Sequence, residues 1–239
     1  AITAANNGNG HWQYSTDGGT TWTTVSGLDG SNGLLLADTD KIRFLPNAEN
    51  ATSPTFSYRA WDRTVGTAGN LATLSATGTT SPYSTDQNTA SIVVSAVNDA
   101  PVLAAGNTTL NTLTEDAASN AGQTVASLRG TTTDVDSGAV QGLAITSLGS
   151  GNGTWQYSTD GGSTWTNADA DGPVSATHAL LLRDADRLRF VPNSANDTVA
   201  GLGYRAWDQT SGTAGAYADT SANGGTTAFS SQENAMDIT

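Results

Sequence analysis

Acidic side chains set at short intervals are the residues of this chain best suited to chemistry. Positions 134–138 read Asp134-Val135-Asp136-Ser137-Gly138, Glu115 and Asp116 stand side by side in "TEDAAS", and Asn98 and Asp99 fall together in "VNDAP". Asp62 and Asp208 each close a copy of "YRAWD". Carboxylates that alternate along a loop can turn two hard oxygen donors toward one ion, and calcium takes roughly six to eight such oxygens. Without a cation, clustered carboxylates repel one another. The competing reading is conformational, because Asp bonds its own backbone and is common wherever a chain turns.

A different chemistry is suggested by "STDGGTTW" at 15–22, which returns as "STDGGSTW" at 158–165. Both fit S-x-D-x-G-x-T-W, the Asp-box familiar from sialidase propellers. Its physics is local: Asp17 bonds amides across the turn, Gly18 and Gly19 accept positive φ, and Trp22 folds back over the hairpin. A sialidase would need about four boxes at blade spacing of roughly 40–50 residues, with an arginine cluster and a nucleophilic tyrosine. Two boxes at an offset of 143 do not supply a propeller, so the box is expected to be a structural hairpin. The histidines, His11 and His178, hold different places in the repeat, and no G-x-S-x-G elbow presents a serine. "NGNG" and "GSGNG" lack the lysine and helix of a phosphate loop. Four N-glycosylation patterns, at 50–52, 107–109, 152–154 and 196–198, are what so Asn/Thr-rich a sequence produces by chance. No enzymatic activity is expected.

The chain has 239 residues with a net charge of −13, and its 22 acidic residues are 19 Asp and only 3 Glu. Nine Lys and Arg provide no basic face for nucleic acid, and no apolar run is long enough to span or insert into a membrane. No cysteine is present, which excludes disulfides and thiolate metal sites. Secreted sandwiches without disulfides need another staple, and bound Ca2+ is the candidate.

The elements that must position these groups are written twice. Trp12 pairs with Trp155 at an offset of 143, and Phe44 with Phe190 at 146, so the second copy carries a three-residue insertion near "SATH". "YRAWDRTVGTAG" and "YRAWDQTSGTAG" continue at the larger offset. Alternating Ile92, Val94 and Val97 predict a final strand, and Pro101 in "NDAP" ends it. Two domains follow, 1–97 and 98–239. The first opens at Ala1-Ile2-Thr3, matching Ala144-Ile145-Thr146, and so lacks a counterpart of residues 98–143; its N-terminal strands are missing, and its open edge is expected to be filled by upstream sequence or a neighbouring chain. Short alternating strands such as "TWQYST" and "RLRFVP", separated by turns, predict an all-β antiparallel sandwich, with the tryptophans in its cores.

"VNDAPVL" at the junction, "TEDAAS", "DVDSG" and "RFVPN" together resemble the cadherin-like and VCBS-type tandem repeats of large, type I secreted bacterial surface proteins, the RTX adhesins. The resemblance covers nearly the whole chain and implies tandem antiparallel Greek-key (cadherin/Ig-like) β-sandwich domains with calcium between them. Carried over by position, Asn98 and Asp99 are linker ligands, Asp134 and Asp136 the D-x-D pair, and Asp208 the late-strand ligand. Glu115 and Asp116 correspond to a first-strand site serving the junction beyond Thr239, and Asp62 plays a comparable part toward Asn98 and Asp99. No L-D-R-E motif accompanies them, which departs from the three-ion cadherin site, and no G-G-x-G-x-D repeat of a β-roll is present. Asp38/Asp40 and Asp184/Asp186 are read as polar turns.

The resemblance implies a secreted, cell-surface extender whose repeats are stiffened by calcium, with neighbouring repeats of the same array or like chains as partners. Two alternatives accompany it: a polysaccharide-binding module with exposed Trp platforms, and a filament subunit assembled by strand complementation.

Overall fold

Strands such as "GTWQYS" and "RLRFVP" alternate large apolar with polar residues, and antiparallel pairing brings the apolar sides onto one face. The register of Gly153–Ser158 with Arg187–Pro192 sets Trp155 opposite Phe190, their rings meeting edge-on at 5.3 Å. Gly10–Ser15 and Lys41–Pro46 repeat the pairing, with Trp12 opposite Phe44, again at 5.3 Å. These relations come from a computed structural model that describes residues 1–74, 76–194 and 199–238. The glycosylation pattern at 196–198 lies outside the described residues.

Among the described residues the chain is all-β apart from one short helix, Val125–Leu128, and it forms two compact units, Ala1–Val97 and Asn98–Thr239. In the second unit a six-stranded sheet runs, in spatial order, Thr108–Thr109, Asn234–Ile238, Ala200–Trp207, Gly142–Gly149, Ala179–Arg183, Tyr217–Ala218. A four-stranded sheet, Gln123–Thr124, Arg187–Pro192, Gly153–Ser158, Thr166–Asn167, packs against it. Among the described residues only the edge contact of Thr108–Thr109 with Asn234–Ile238 is parallel. Between the sheets, Leu143, Ile145, Leu180, Leu202 and Tyr204 from one side meet Trp155, Leu188 and Phe190 from the other. The central strands are buried on both faces: Ala144 and Leu181 point the other way, into a small cluster with Trp207 and Phe229. That second face explains why "GYRAWD" does not alternate cleanly in sequence.

The first unit repeats the larger sheet as Asn88–Ser91, Thr55–Tyr58, Ile2–Asn6, Asn32–Leu34, Leu71–Thr73, and the smaller as Lys41–Pro46, Gly10–Ser15, Thr23–Thr24. Even the register slip is repeated, between Ile2 and Ala4 here and between Ile145 and Ser147 there. Burial differs. Tyr204 is 0% exposed whereas its counterpart Tyr58 is 39% exposed. The second unit owes its closure to residues 103–128: Leu103, Leu110, Val125 and Leu128 all enter its core. The anticipated strand through Ile92 and Val97 also falls short. It spans Asn88–Ser91, followed by an isolated bridge between Thr52 and Val94. Ile92 and Val97 lie exposed, because no apolar surface in the first unit covers them.

The Asp-box is a hairpin built on one carboxylate. Asp17 accepts from the Thr21 hydroxyl at 2.6 Å and the Thr21 N–H at 2.9 Å, and the Trp22 indole donates to the Gly19 carbonyl at 3.0 Å. These donors, with the Ser15 hydroxyl, hold Asp17 well below the usual carboxylate range. Asp160 is held in the same way in the second copy. The carboxylate is thus engaged in closing the turn.

Unequal burial of equivalent residues has a measurable consequence. Phe190→Ala is expected to destabilise the second unit by about 3–5 kcal/mol, while Phe44→Ala, at the half-buried equivalent, costs the first unit less. Urea denaturation followed by intrinsic fluorescence checks this, and equal costs would contradict the difference in cover.

Candidate metal centre at the start of the second unit

Two residues of β pairing build the site. Val102–Leu103 lies antiparallel to Thr132–Thr133, with Thr132 opposite Leu103 and Thr133 opposite Val102. Leu103 is thereby seated in the core, and the chain just before it is delivered to the loop just after Thr133. That loop is Asp134-Val135-Asp136. Asp136 accepts the Asp99 N–H at 2.8 Å, and Asp134 accepts the Asp136 N–H at 2.9 Å.

Asp208 enters from the end of Ala200–Trp207 and is 2% exposed. One of its oxygens accepts the Thr210 N–H at 2.8 Å and the Thr210 hydroxyl at 2.6 Å. The other accepts from the Asn98 amide at 2.9 Å, and that amide also donates to the Thr227 carbonyl at 3.1 Å. Ala100 N–H to Gly225 O, at 2.8 Å, completes the seating of the segment. Asn98, Asp99, Asp134, Asp136 and Asp208 thus meet at one pole of the second unit.

The electrostatics centre on Asp134. Burial pushes its carboxyl above the usual range, the Asp136 N–H opposes that, and the charges of Asp136, Asp208 and Asp99 push further upward. Its Oδ2 is buried and bonded to nothing, and the buried oxygens Thr132 Oγ1 and Gln141 Oε1 are likewise without partners. Gln141 donates to the Thr132 carbonyl at 3.2 Å, which ties these two residues together. A buried oxygen acceptor left unmatched costs about 1–3 kcal/mol. A hard cation would satisfy such oxygens and offset the repulsion between carboxylates. The donors are all oxygen, which suits calcium and not a thiophilic metal. The cage is not closed, however: among the described residues no three Asp, Glu, His or Cys groups converge as metal ligands. Asp136 spends one oxygen on the Asp99 N–H, and Asp208 spends both, on Thr210 and on the Asn98 amide.

The remaining acidic residues lie elsewhere. Glu115 and Asp116 are exposed in a turn closed by Ala117 N–H to Thr114 O and Ala118 N–H to Asp116 O. Their loop is fastened by Asn120 to the Phe190 carbonyl, at 2.8 Å. Phe190 lies toward the Gly149 end of the sandwich, whereas Asp208 lies beside Gly142 at the start of the same strand. The eight residues between set the two ends roughly 25 Å apart. Asp62 is exposed and repeats Asp208 within its own unit, accepting from the Thr64 N–H and hydroxyl at 2.9 and 2.6 Å, bonds that lower its pKa.

Asp40 and Asp186 close turns, accepting the Ala37 and Arg183 N–H groups, both at 2.7 Å. Asp184 pairs with Arg129 at 2.7 Å. Thr132 and Gln141 carry no sequence signal as site residues, because only the pairing of residues 102–103 with 132–133 gathers them. Trp12, Trp155 and Trp207 are buried, and the rings of Trp22 and Trp165 lie under Arg43 and Arg189 at 4.0 and 3.9 Å. Trp61 is half-buried, its indole donating to the Val65 carbonyl.

Comparison with protein-family models, with curated proteins and with solved structures gives no match. Among the described residues no helix is long and apolar enough to cross a membrane.

The raised pKa of Asp134 fixes a sign. A carboxyl whose folded-state value exceeds 3.8 penalises the folded chain once it ionises, so the penalty is present at neutral pH and absent in acid. Asp134→Asn keeps the Oδ1 acceptor and removes the charge. In chelator at pH 7 it is expected to stabilise the second unit, with the gain fading as pH falls through the raised value and gone below the ordinary aspartate value. A destabilised variant at pH 7 in urea titrations would contradict the crowding of charge at this pole.

Proposed function

We propose that the chain is a calcium-stiffened extender from a large, secreted bacterial surface adhesin, built of cadherin-like or VCBS-type repeats and without catalytic activity. The observation that carries this reading is Asp134 Oδ2, a buried carboxylate oxygen without a donor, set among Asp99, Asp136 and Asp208. Calcium at this pole would be held by Asp134 and Asp136 from the D-x-D loop, by Asp208 and by the Asn98–Asp99 segment. The ion supplies positive charge that carboxylates of one sign cannot supply for themselves. The residues do the rest: Asn98 and Asp99 are already tied to Asp208 and Asp136, so a cation there fixes the chain that leaves Val97 against the second sandwich.

Asp62 stands in the first unit where Asp208 stands in the second, and on this reading it plays a comparable part toward Asn98 and Asp99. Glu115 and Asp116, at the end near Phe190, belong to a separate junction following the second unit. The polysaccharide reading is disfavoured by tryptophans that are buried or capped by arginine.

Calcium is expected to raise the melting temperature of the second unit, since a ligand at about 100 times its Kd adds about 2.7 kcal/mol to the state that binds it. It is also expected to lengthen the particle measured by small-angle X-ray scattering. Calorimetry and scattering in millimolar calcium and in chelator check both effects. Identical melting and identical dimensions would remove the stiffening function.

A further inference from the structure

Five Asn-Gly pairs occur in the chain: Asn7-Gly8, Asn9-Gly10, Asn32-Gly33, Asn152-Gly153 and Asn223-Gly224. Glycine has no side chain to shield its backbone nitrogen or restrict its rotation, so in such a pair that nitrogen can reach the carbon of the preceding side-chain amide. Whether it does depends on how freely the two residues turn, and the fold treats the five pairs differently.

Four are restrained. Gly10, Gly33 and Gly153 lie within the strands Gly10–Ser15, Asn32–Leu34 and Gly153–Ser158, where ladder pairing fixes the backbone. Asn9 also donates its side-chain amide to the Ala51 carbonyl at 3.1 Å, and Asn32 donates to Asp29 at 2.9 Å. Asn152 is engaged as well. Asn223 donates to the carbonyls of Thr220 and Ser221 at 3.2 and 3.1 Å, and the Gly224 N–H donates to the Phe229 carbonyl at 2.7 Å.

Asn7-Gly8 differs from all of these. It falls between Ile2–Asn6 and Gly10–Ser15, both of its residues are exposed, and among the described residues the Asn7 side chain makes no hydrogen bond. The Gly8 N–H donates to Asn6 Oδ1 at 3.0 Å, a local bond open to water. The turn also demands its glycine: Gly8 has φ +47°, and a Cβ there would collide with Thr52 Oγ1. The second unit repeats the turn, with Gly151 at φ +48°, but has Ser150 in place of Asn7.

We propose that Asn7 is a site of spontaneous covalent modification, deamidation through a succinimide. The Gly8 nitrogen gives its proton to solvent base and attacks Asn7 Cγ. A C–N bond forms, the Cγ–Nδ2 bond breaks, and Nδ2 takes up a proton and leaves as ammonia. Water then opens the ring. Opening at Cγ gives aspartate, and opening at the main-chain carbonyl gives isoaspartate, whose backbone is longer by one methylene. One water is consumed and one ammonia released overall, and either product adds negative charge to a chain already at −13. The change is made beside Asn6, whose carbonyl accepts the indole N–H of the core residue Trp12 at 3.2 Å.

The test ages the full chain at mildly alkaline pH, folded and, in parallel, unfolded in urea. Fragmentation mass spectrometry that separates Asn7 from Asn9 reads the loss of each amide, and an isoaspartyl methyltransferase labels the rearranged product. In the folded chain Asn7 should react roughly fivefold or more ahead of the other four, about the factor by which one hydrogen bond that must first open slows a reaction. In urea that lead should vanish. Asn7→Ser, the residue type of the second unit, should leave the folded chain without a fast site. Equal rates at all five pairs in the folded chain, a different asparagine reacting first, or a lead for Asn7 that persists in urea would each overturn the proposal.

Discussion

The pairing of Val102–Leu103 with Thr132–Thr133 is the contact on which the second unit most depends. It is short, yet it does two things that cannot be separated. It drives Leu103 into the core, where Leu110, Val125 and Leu128 follow. It also sets Asn98 and Asp99 beside the carboxylates of Asp136 and Asp208. Hydrophobic closure of the sandwich and assembly of the acidic pole are therefore one event: a chain that cannot bury this segment cannot gather the acidic groups either.

The two units act as an internal control on that statement. They share strand order, register slip, Asp-box and aromatic pairs, and they differ in what lies over the apolar face. Where residues 103–128 lie on it, Tyr204, Met236 and Ile238 are sealed; at the equivalent positions of the first unit the face stays open. Asp62 and Asp208 make the same bonds to a threonine two residues on, but only Asp208 has an asparagine delivered to its second oxygen. The late-strand aspartate is thus a local turn former in both units, and the covering segment is what adds a further partner.

Much of the fold was legible because period-two patterns report which side of a strand is buried. Leu188 and Phe190 could be placed on one side of their strand from spacing alone. The Asp-box was equally legible, since all of its bonds are made within eight residues. Legibility failed where burial depends on distant chain. Ile92, Val94 and Val97 alternate like a strand, yet without a covering segment they do not form one. The helix Val125–Leu128 is a single turn with no periodicity to detect. At the acidic pole, the residue types and the D-x-D spacing could be read from sequence. The orphaned oxygens of Thr132 and Gln141 could not, because two-residue ladders of Thr, Val and Leu leave no pattern. Glu115 and Asp116 belong to a different end of the sandwich, a separation that depends on strand length and direction rather than on sequence distance.

The calcium proposal rests on Asp134 Oδ2, a buried oxygen without a donor beside the charges of Asp99, Asp136 and Asp208, and isothermal titration of calcium into the metal-free full chain tests it directly. The account predicts saturable binding that Asp134→Asn abolishes or sharply weakens, while Asp40→Asn, in a turn of the first unit, leaves it unchanged. A flat titration at millimolar calcium, or binding indifferent to Asp134→Asn, would contradict it.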